Sequence, residues 1–470
     1  MKTFWTAFAL ALGVAAAGPA AADTPEARLA KALTFATVSH ESPEQFEQAT
    51  FDALHAWLAA TFPRVHATLG RERVGRASLL YHWPGRDASL APILLTSHLD
   101  VVPAPDPESW THPPFAGVIA EGFVWGRGAL DDKAGVVATL EALERLVAEG
   151  FTPRRGLLVA FGDDEEVGGE RGAGAITKLL AERGVRAWFS LDEGMAIAEP
   201  GATSLTDTPL ALIGVAEKGY LTLRLTARAA GGHSSVPPPS TAIGRLSRAI
   251  VRLEERPLEA RTQGVVSEML RRVAPHTGGM RRVVLAWPWL FGPLIESQLE
   301  SEPSTNAMVR TTTAVTLIDG GVKANVLPRE ASARVNFRLL PGDTSEAVIA
   351  HVRDAIDDPE IEIATETVSE ASPVADVNSD AFALLSAVIH ESAPEAVVVP
   401  ALVVGGTDTQ HYAKVAENGF RFLPIRFTAG DLERMHGRDE RLSIDNYRFA
   451  IDFYERLVRR AAGGESPVVR

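Results

Sequence analysis

The chain has 470 residues, 46% of them hydrophobic, and a formal net charge of −14. This length exceeds one ordinary hydrophobic core, so two domains are expected, and the acidic balance disfavours nucleic acid as a partner. Cysteine is absent, which excludes disulfides and thiolate ligands, so any metal must be held by histidines and carboxylates.

The first 22 residues have the features of a secretory signal peptide. Lys2 precedes an apolar run over residues 4–17, and the small residues Ala20 and Ala22 follow, which predicts cleavage after Ala22. The run is too short for a good membrane span, and a buried helix or a retained anchor is the alternative interpretation. We therefore expect a secreted, periplasmic protein whose mature form has no membrane span.

After two helical stretches, short apolar runs alternate with amphipathic segments up to residue 192. The apolar runs are APILLTS, GLLVAFG and AWFSL, and the amphipathic segments between them are KAGVVATLEALERLVAEG and GAGAITKLLAERG. This alternation is typical of an α/β sheet with largely parallel strands covered by helices.

The pattern changes near residue 217. The segments GYLTLRLTARA, TTTAVTLIDGG and EASARVNFRLLPGD alternate with a period of two, as expected of a small antiparallel sheet with helices on one face. Helices and the strand-like AVVVPAL and RFLPIRF return after about residue 344. We predict an α/β catalytic domain with a mostly parallel central sheet, formed by residues 23–216 and 342–470 and interrupted by an inserted α+β domain at 217–341.

Acidic residues and a histidine follow the three apolar runs, where ligands bind in open α/β sheets, and two further aspartates precede the helix predicted to start near Lys133. In chain order they are His98 and Asp100, Asp131 and Asp132, Asp163 to Glu166, and Asp192 with Glu193. Each has an ordinary alternative, such as a hydrogen-bonded histidine, a helix cap, a solvated loop or a turn. Their convergence at one sheet edge would raise their pKa values unless a cation is present. The pattern favours a divalent metal site, for which Zn²⁺ is suited and Mn²⁺ or Co²⁺ are alternatives.

Seven strings occur in one order along the chain: SHLDVVP, WGRGALDDKAG, DEEVGG, LDEG, GGHSSVPP, GGTDTQHY and MHGRDE. Together they resemble the M20 family of co-catalytic zinc metallopeptidases, and within it the carboxypeptidase S and N-acyl-amino-acid hydrolase branch. The likeness runs from about residue 90 to 440. It implies a zinc-peptidase type of catalytic domain with two zinc ions, and an insert that serves as a lid and dimerisation domain.

The resemblance also implies five metal ligands. Asp131 would bridge the two ions. His98 and Asp192 would bind one of them, and Glu166 and His436 would bind the other. A cis peptide bond after Asp131 is a further expectation from the family.

Other residues would act beside these ligands. Family members differ over whether the residue matching Asp192 or its neighbour Glu193 is the ligand, and we expect Asp192. Asp100 would accept the second ring N–H of His98, which fixes the tautomer of that ligand. Glu165 would be the general base that acts on a metal-bound water.

The family's substrate-binding positions match residues of the insert and of a late loop. His233 would donate to the oxyanion from the inserted domain, often that of the partner subunit, so the enzyme would need either a homodimer or a compensating insertion. Arg338 and Asn325 would bind a substrate carboxylate, since arginine can grip a carboxylate through two hydrogen bonds. Backbone N–H groups near Gly406 and Thr407 would add donors. An idle loop histidine and an exposed strand arginine are the alternatives for His233 and Arg338.

The resemblance implies a hydrolase that releases an amino acid from a short peptide or an N-acyl amino acid, and it leaves these two substrates open. An M20-type dipeptidase or deacetylase is the alternative enzyme. A non-catalytic, metal-dependent binding protein is a third hypothesis, against which the presence of Glu165 and of all five ligands argues. The stretch 256–305 would be extra lid sequence, and its LAWPWLFGP would line a hydrophobic pocket or pack as a helix.

Overall fold

The computed structural model describes residues 24–203 and 205–463. The expected signal peptide lies outside the described residues. Within them, every helix is either too short or too polar to cross a bilayer.

Helices cover both faces of a large sheet and one face of a smaller one. They are α1 (Pro25–Leu33), α2 (Gln48–Thr61), α3 (Pro63–Thr68), α4 (Lys133–Ala148), α5 (Ala173–Glu182), α6 (Ala242–Glu255), α7 (Gly264–Val273), α8 (Gly279–Ala286), α9 (Pro288–Leu299), α10 (Pro303–Val309), α11 (Ser345–Ile356), α12 (Asp380–Ser392), α13 (Thr409–Tyr412), α14 (Ala429–Arg434) and α15 (Ile444–Gly463).

The strands form two principal sheets and two small ones. They are β1 (Gly70–Val74), β2 (Ser78–Trp83), β3 (Ile93–His98), β4 (Val118–Ala120), β5 (Phe123–Trp125), β6 (Leu157–Gly162), β7 (Phe189–Asp192), β8 (Ile197–Ala198), β9 (Leu210–Glu217), β10 (Gly219–Arg228), β11 (Gly232–His233), β12 (Thr312–Gly320), β13 (Val326–Leu327), β14 (Glu330–Leu339), β15 (Ile361–Ser369), β16 (Val397–Val403), β17 (Gly419–Arg421), β18 (Arg426–Phe427) and β19 (Arg441–Ser443).

The main sheet has the strand order β1-β2-β6-β3-β7-β17-β9-β8-β18, with β16 paired to β9. Strands β6, β3, β7 and β17 are mutually parallel, as predicted. Ile93 and Leu95 of β3 join the core that includes α4 and α15, whereas Leu94 joins a second core with α5 on the opposite face. Burial on both faces explains why these strands read as continuous apolar runs.

The second sheet has the order β12-β14-β10-β15 and is antiparallel. Helices α6 and α11 pack on one face of it. The predicted end of the insert at residue 341 is too early, because β15 pairs with β10 as far as Ser369 and Ile361 is buried in this core. The sequence pattern of α11 shows an apolar face but not which sheet that face covers.

Helices α7 to α10 do not join the core of the second sheet. Val266, Leu270 and Leu285 pack instead with Leu210 and Val399 of the main sheet. The stretch 256–305 is therefore largely a helical layer on one edge of the main sheet.

Candidate metal centre

Side chains from five segments, which carry His98, Asp131, Glu166, Glu193 and His436, meet at the carboxyl ends of the central parallel strands. His98 is the last residue of β3 and lies opposite Gly162, the last residue of β6. Glu165 and Glu166 form a turn just beyond β6. Asp131 lies just before α4, and its peptide bond to Asp132 is cis, as expected from the family.

Asp131 stands between two histidines. Its Oδ1 lies 2.9 Å from Nε2 of His98, and its Oδ2 lies 3.0 Å from Nε2 of His436. His436 also approaches Glu166, whose Oε2 is 3.2 Å from the same ring nitrogen. One carboxylate thus belongs to two groups of candidate ligands, which is the geometry of a bridging ligand.

Glu193, rather than Asp192, completes the group around His98. The ligand atoms of His98, Asp131 and Glu193 lie within 4.8 Å of one another, and so do those of Asp131, Glu166 and His436. The carboxylate of Asp192 is buried, and its Oδ2 accepts a hydrogen bond of 2.8 Å from the Thr409 hydroxyl. The geometry therefore favours Glu193 over Asp192, because only Glu193 shares a candidate ligand group with His98 and Asp131.

The charge balance of the centre suits a bound cation. Burial raises the pKa of Glu193 well above its usual range, and Asp131 adds to this shift. Hydrogen bonds to Asp131 and Glu166 raise the pKa of His436 to about 10. Burial lowers the pKa of His98, but Asp100 and Asp131 outweigh it and raise that pKa well above normal. Carboxylates thus crowd the centre, and a divalent metal with imidazole and carboxylate ligands would offset their charge.

Asp100 connects the first histidine with the glutamate turn. Nδ1 of His98 lies 3.0 Å from the backbone oxygen of Asp100 and 3.4 Å from its Oδ1. The two carboxylate oxygens accept the backbone N–H groups of Glu165 and Glu166, each at 3.2 Å, and Oδ2 also accepts from the Ser39 hydroxyl. The backbone oxygen of Asp100 is the hydrogen-bond partner of His98, with the carboxylate close behind it, and the carboxylate also holds the turn that carries the two glutamates.

The acidic run 163–166 divides into two halves. Asp163 accepts a hydrogen bond from Ser78, and Asp164 accepts the backbone N–H groups of Arg171 and Gly172 at the start of α5. These first two residues hold the local fold. Glu166 lies at the centre beside His436, and burial raises the pKa of Glu165 well above its usual range, so adjacent carboxylates have different surroundings and can have different roles.

A buried ion pair that we did not predict holds the loop of Asp131. Glu440 accepts the backbone N–H groups of Gly128, Leu130 and Asp131, and its Oε2 lies 2.6 Å from Nη1 of Arg127. Arg127 also donates to the backbone oxygen of His436 at 3.2 Å. The pair therefore joins the segments that carry Asp131 and His436. Its only sequence signal is the position of Glu440 in MHGRDE, four residues after His436.

The structure does not bring His233 and Asn325 into contact with the candidate ligands. Both are exposed at the small two-stranded β11–β13 sheet of the second domain, where the backbone oxygen of Asn325 accepts the N–H of Ser234. Nδ1 of His233 lies 2.8 Å from the Ser235 hydroxyl. These two residues lie side by side, but on a different element from the metal centre.

Arg338 lies where the second sheet joins the main one. Its guanidinium carbon is 4.7 Å from the centre of the Tyr220 ring, and burial lowers its pKa. The nearby Lys218 is buried, and its Nζ donates to the backbone oxygens of Ala307 and Arg310. Burial, followed by the charge of Arg338, lowers the pKa of Lys218 to about 7. Two cationic side chains therefore share this junction.

Gly406 and Thr407 lie on a loop that is tied to the same junction. Gly406 is exposed, whereas the Thr407 hydroxyl is buried and donates to Glu217, the last residue of β9. Nε of the buried Arg421 lies 2.6 Å from the same Glu217 oxygen. Thr409, two residues further on, holds Asp192 beside Glu193. A buried polar network thus links the start of the second domain with the metal centre.

Comparison with known proteins identifies the family. The model for peptidase family M20/M25/M40 matches residues 94–460. The chain belongs to peptidase family M20. It is therefore an M20 metallopeptidase or amidohydrolase of the carboxypeptidase-like kind, as the ordered motifs predicted.

Similar curated proteins carry two kinds of name. The chain is 41% identical over 436 residues to "Probable carboxypeptidase S-like 2" of Dictyostelium discoideum, covering 92% of this chain and 84% of that protein. It is 38% identical over 436 residues to "N-fatty-acyl-amino acid synthase/hydrolase PM20D1" of Mus musculus, covering 92% of this chain and 86% of the relative.

The fold agrees with a solved M20 structure. A metallo-carboxypeptidase of this family from Sulfolobus solfataricus superposes with a TM-score of 0.68 at 16% identity, covering 95% of this chain and all of the other. The mixed α/β architecture with a mostly parallel central sheet is therefore that of M20 peptidases.

Proposed function

We propose that this M20 enzyme hydrolyses the amide bond between an acyl group and an amino acid with a free carboxylate. It would release the amino acid from N-acyl amino acids or short peptides, the substrates that the names of its relatives suggest. The observation that supports this most strongly is the position of Asp131, whose two oxygens face His98 and His436. A carboxylate shared in this way suits a pair of adjacent metal ions.

The residues of the centre fit two zinc ions. His98, Asp131 and Glu193 would hold one ion, and Asp131, Glu166 and His436 the other. Co²⁺ or Mn²⁺ can occupy a set of imidazole and carboxylate ligands of this kind. When bound, such ions polarise a carbonyl oxygen and lower the pKa of a water from 15.7 toward about 7. Glu193 here replaces Asp192, the ligand expected from the sequence.

Glu165 acts as the general base. It follows Asp164 in a turn whose backbone is fixed by Asp100, and it precedes the candidate ligand Glu166. Glu165 takes a proton from the water that attacks the amide carbon, and it then delivers this proton to the nitrogen as the C–N bond breaks. Asp100 is a positioning residue, because it contacts His98 and the glutamate turn.

The remaining groups would bind the substrate. Arg338 and Asn325 would bind the carboxylate, and the backbone near Gly406 and Thr407 would add N–H donors. His233 would donate to the oxyanion. Because His233 lies on the exposed β11–β13 sheet of the second domain, closure of that domain or a second copy of the chain must supply it, so a homodimer is part of the proposal.

A substrate panel tests this function. The panel contains N-acyl amino acids with short and long acyl groups, dipeptides, and the methyl ester of each compound. We expect release of the amino acid from the free acids and much slower hydrolysis of the amide bond in the esters, since the esters lack the carboxylate. Equal rates for acids and esters, or no hydrolysis of any member, would contradict the proposal.

Export from the cytoplasm is a further part of the proposal. It rests on the predicted signal peptide and is tested by the N-terminal sequence of the protein recovered from a secreting host. Recovery from the periplasm with Asp23 as the first residue supports it. An intact Met1 on the active cellular protein contradicts it.

A further inference from the structure

Helices α8 and α9 expose an unusual number of large apolar side chains. We name this surface the α8–α9 apolar face, formed by Met280, Val283, Trp287, Trp289, Leu290 and Leu294. Trp289 is 75% exposed and Met280 is 74% exposed. Large exposed apolar patches are rare on soluble monomers and mark interaction sites.

The side chains of the α8–α9 apolar face are contiguous. Met280, Val283 and Trp287 recur at spacings of three and four, and Leu290 and Leu294 recur at a spacing of four, so each set shares one side of its helical segment. The Trp287 and Trp289 rings are in contact, with centroids 6.1 Å apart. The two helical segments therefore present one continuous surface.

This face is apolar although the helices are already anchored from the other side. Leu285 of α8 and Ile295 of α9 are buried in the core that includes Leu210 and Val399 of the main sheet. A surface helix ordinarily carries polar residues opposite its buried stripe. Packing within the chain thus explains why Leu285 and Ile295 are apolar, but it does not explain why two tryptophans occupy exposed positions.

The charge around the face points to an anionic partner. The segment 269–295 contains no aspartate or glutamate, although the whole chain has a net charge of −14. Arg281 and Arg282 are exposed on α8 among the apolar side chains. The other two arginines of the segment, Arg271 and Arg272, pair with Glu268.

We propose that the α8–α9 apolar face docks on the surface of an anionic lipid bilayer. Tryptophans favour the boundary between headgroups and acyl chains, leucine, valine and methionine bury apolar area there, and arginines contact anionic headgroups. A two-fold pairing of this face with a second copy would place two sets of Arg281 and Arg282 in one interface, and the segment 269–295 has no acidic residue to offset their charge, which makes another copy the poorer occupant. This inference does not depend on the proposed hydrolase activity.

Vesicle sedimentation tests the proposal, with a chain that lacks residues 1–22 and keeps all the described residues. The wild type is expected to sediment with vesicles that contain phosphatidylglycerol, and far less with pure phosphatidylcholine or at high salt. The double substitution Trp287→Ser/Trp289→Ser is expected to weaken binding about tenfold or more, through lost apolar burial. Arg281→Gln/Arg282→Gln is expected to remove most of the preference for anionic lipid.

Control variants separate this effect from misfolding and from general stickiness. Leu317→Ser/Ile318→Ser changes two exposed apolar residues on β12 and is expected to leave vesicle binding unchanged. All variants are expected to keep the wild-type circular dichroism spectrum. Wild-type protein that ignores anionic vesicles, or a tryptophan variant that binds them normally, would overturn the proposal. So would a dimer in light scattering that the tryptophan variant abolishes while vesicles bind neither protein.

Discussion

The metal centre and the α8–α9 apolar face depart from ordinary burial in opposite directions. The centre brings ionisable side chains such as His98 and Glu193 into the protein, whereas the face leaves Trp287 and Trp289 in solvent. Each departure costs free energy unless a partner compensates for it. The two regions therefore need different partners. The metal centre needs a cation, and the α8–α9 apolar face needs a surface that has an apolar interior and anionic headgroups.

The largest effect on the hydrolysis rate is expected from a substitution of the general base, Glu165. Glu165→Gln should lower the hydrolysis rate by about 10²–10⁴-fold, because it removes the group that transfers the proton, while zinc binding persists. Steady-state kinetics and metal analysis measure the two quantities. The exposed Glu170, on the same loop, provides the control Glu170→Gln, which should stay near the wild-type rate. A near wild-type hydrolysis rate for Glu165→Gln would show that Glu165 is not the general base.

The buried pair that supports the centre should affect stability. Glu440→Gln should cost about 3–5 kcal/mol of unfolding free energy, since it leaves the buried Arg127 without its counter-charge, and it should weaken zinc binding through the loop of Asp131. Urea denaturation and zinc titration measure these effects. The control Glu72→Gln breaks an exposed pair with Arg183 and should have little effect. Equal stability of the two variants would show that the pair does not hold the loop.

The choice between two neighbouring carboxylates gives a smaller effect. Glu193→Gln should weaken zinc affinity more than Asp192→Asn does, because only Glu193 shares a candidate ligand group with His98 and Asp131. For Asp192→Asn we expect a loss of about 10–100-fold, typical of a residue that supports a ligand from behind. Competition with a chelator measures both affinities. The reverse order would restore Asp192 as the ligand.

The smallest effect is expected on the exposed side of α8 and α9. Trp289→Ser should change the unfolding free energy by less than about 0.5 kcal/mol, whereas Leu285→Ala, on the buried side, should cost about 2–5 kcal/mol. Thermal or urea unfolding of both variants provides the measurement. A large loss for Trp289→Ser would mean that this tryptophan serves the fold rather than a partner.

Sequence patterns predict those features that depend on residues close together in the chain. Apolar runs that end in His98 or the acidic run 163–166 placed these residues at strand ends, where the structure has them. The Arg127–Glu440 pair joins residues 313 apart, and no short spacing reveals such a contact. The choice of Glu193 over Asp192 depends on the direction of one side chain at the end of β7.

The second domain and the apolar face show a different limit of sequence analysis. Periodicity identifies the apolar face of α11 but not the sheet that this face covers. The sequence therefore predicts an insert that ends at residue 341, whereas β15 extends the second sheet to Ser369. From the sequence, apolar residues such as Trp289 in LAWPWLFGP are predicted to line a pocket or to pack in a core. A hydrophobic pattern does not show whether the folded chain buries its apolar side chains.

Titration of zinc into metal-free protein tests the central claim most directly. The protein is stripped with a chelator, and the hydrolysis of a substrate from the panel is measured as zinc is added. Two ions held by groups that share Asp131 predict that the rate rises from near zero and levels off at about two equivalents of zinc per chain. Full activity that persists in the stripped protein and does not respond to zinc would contradict the account.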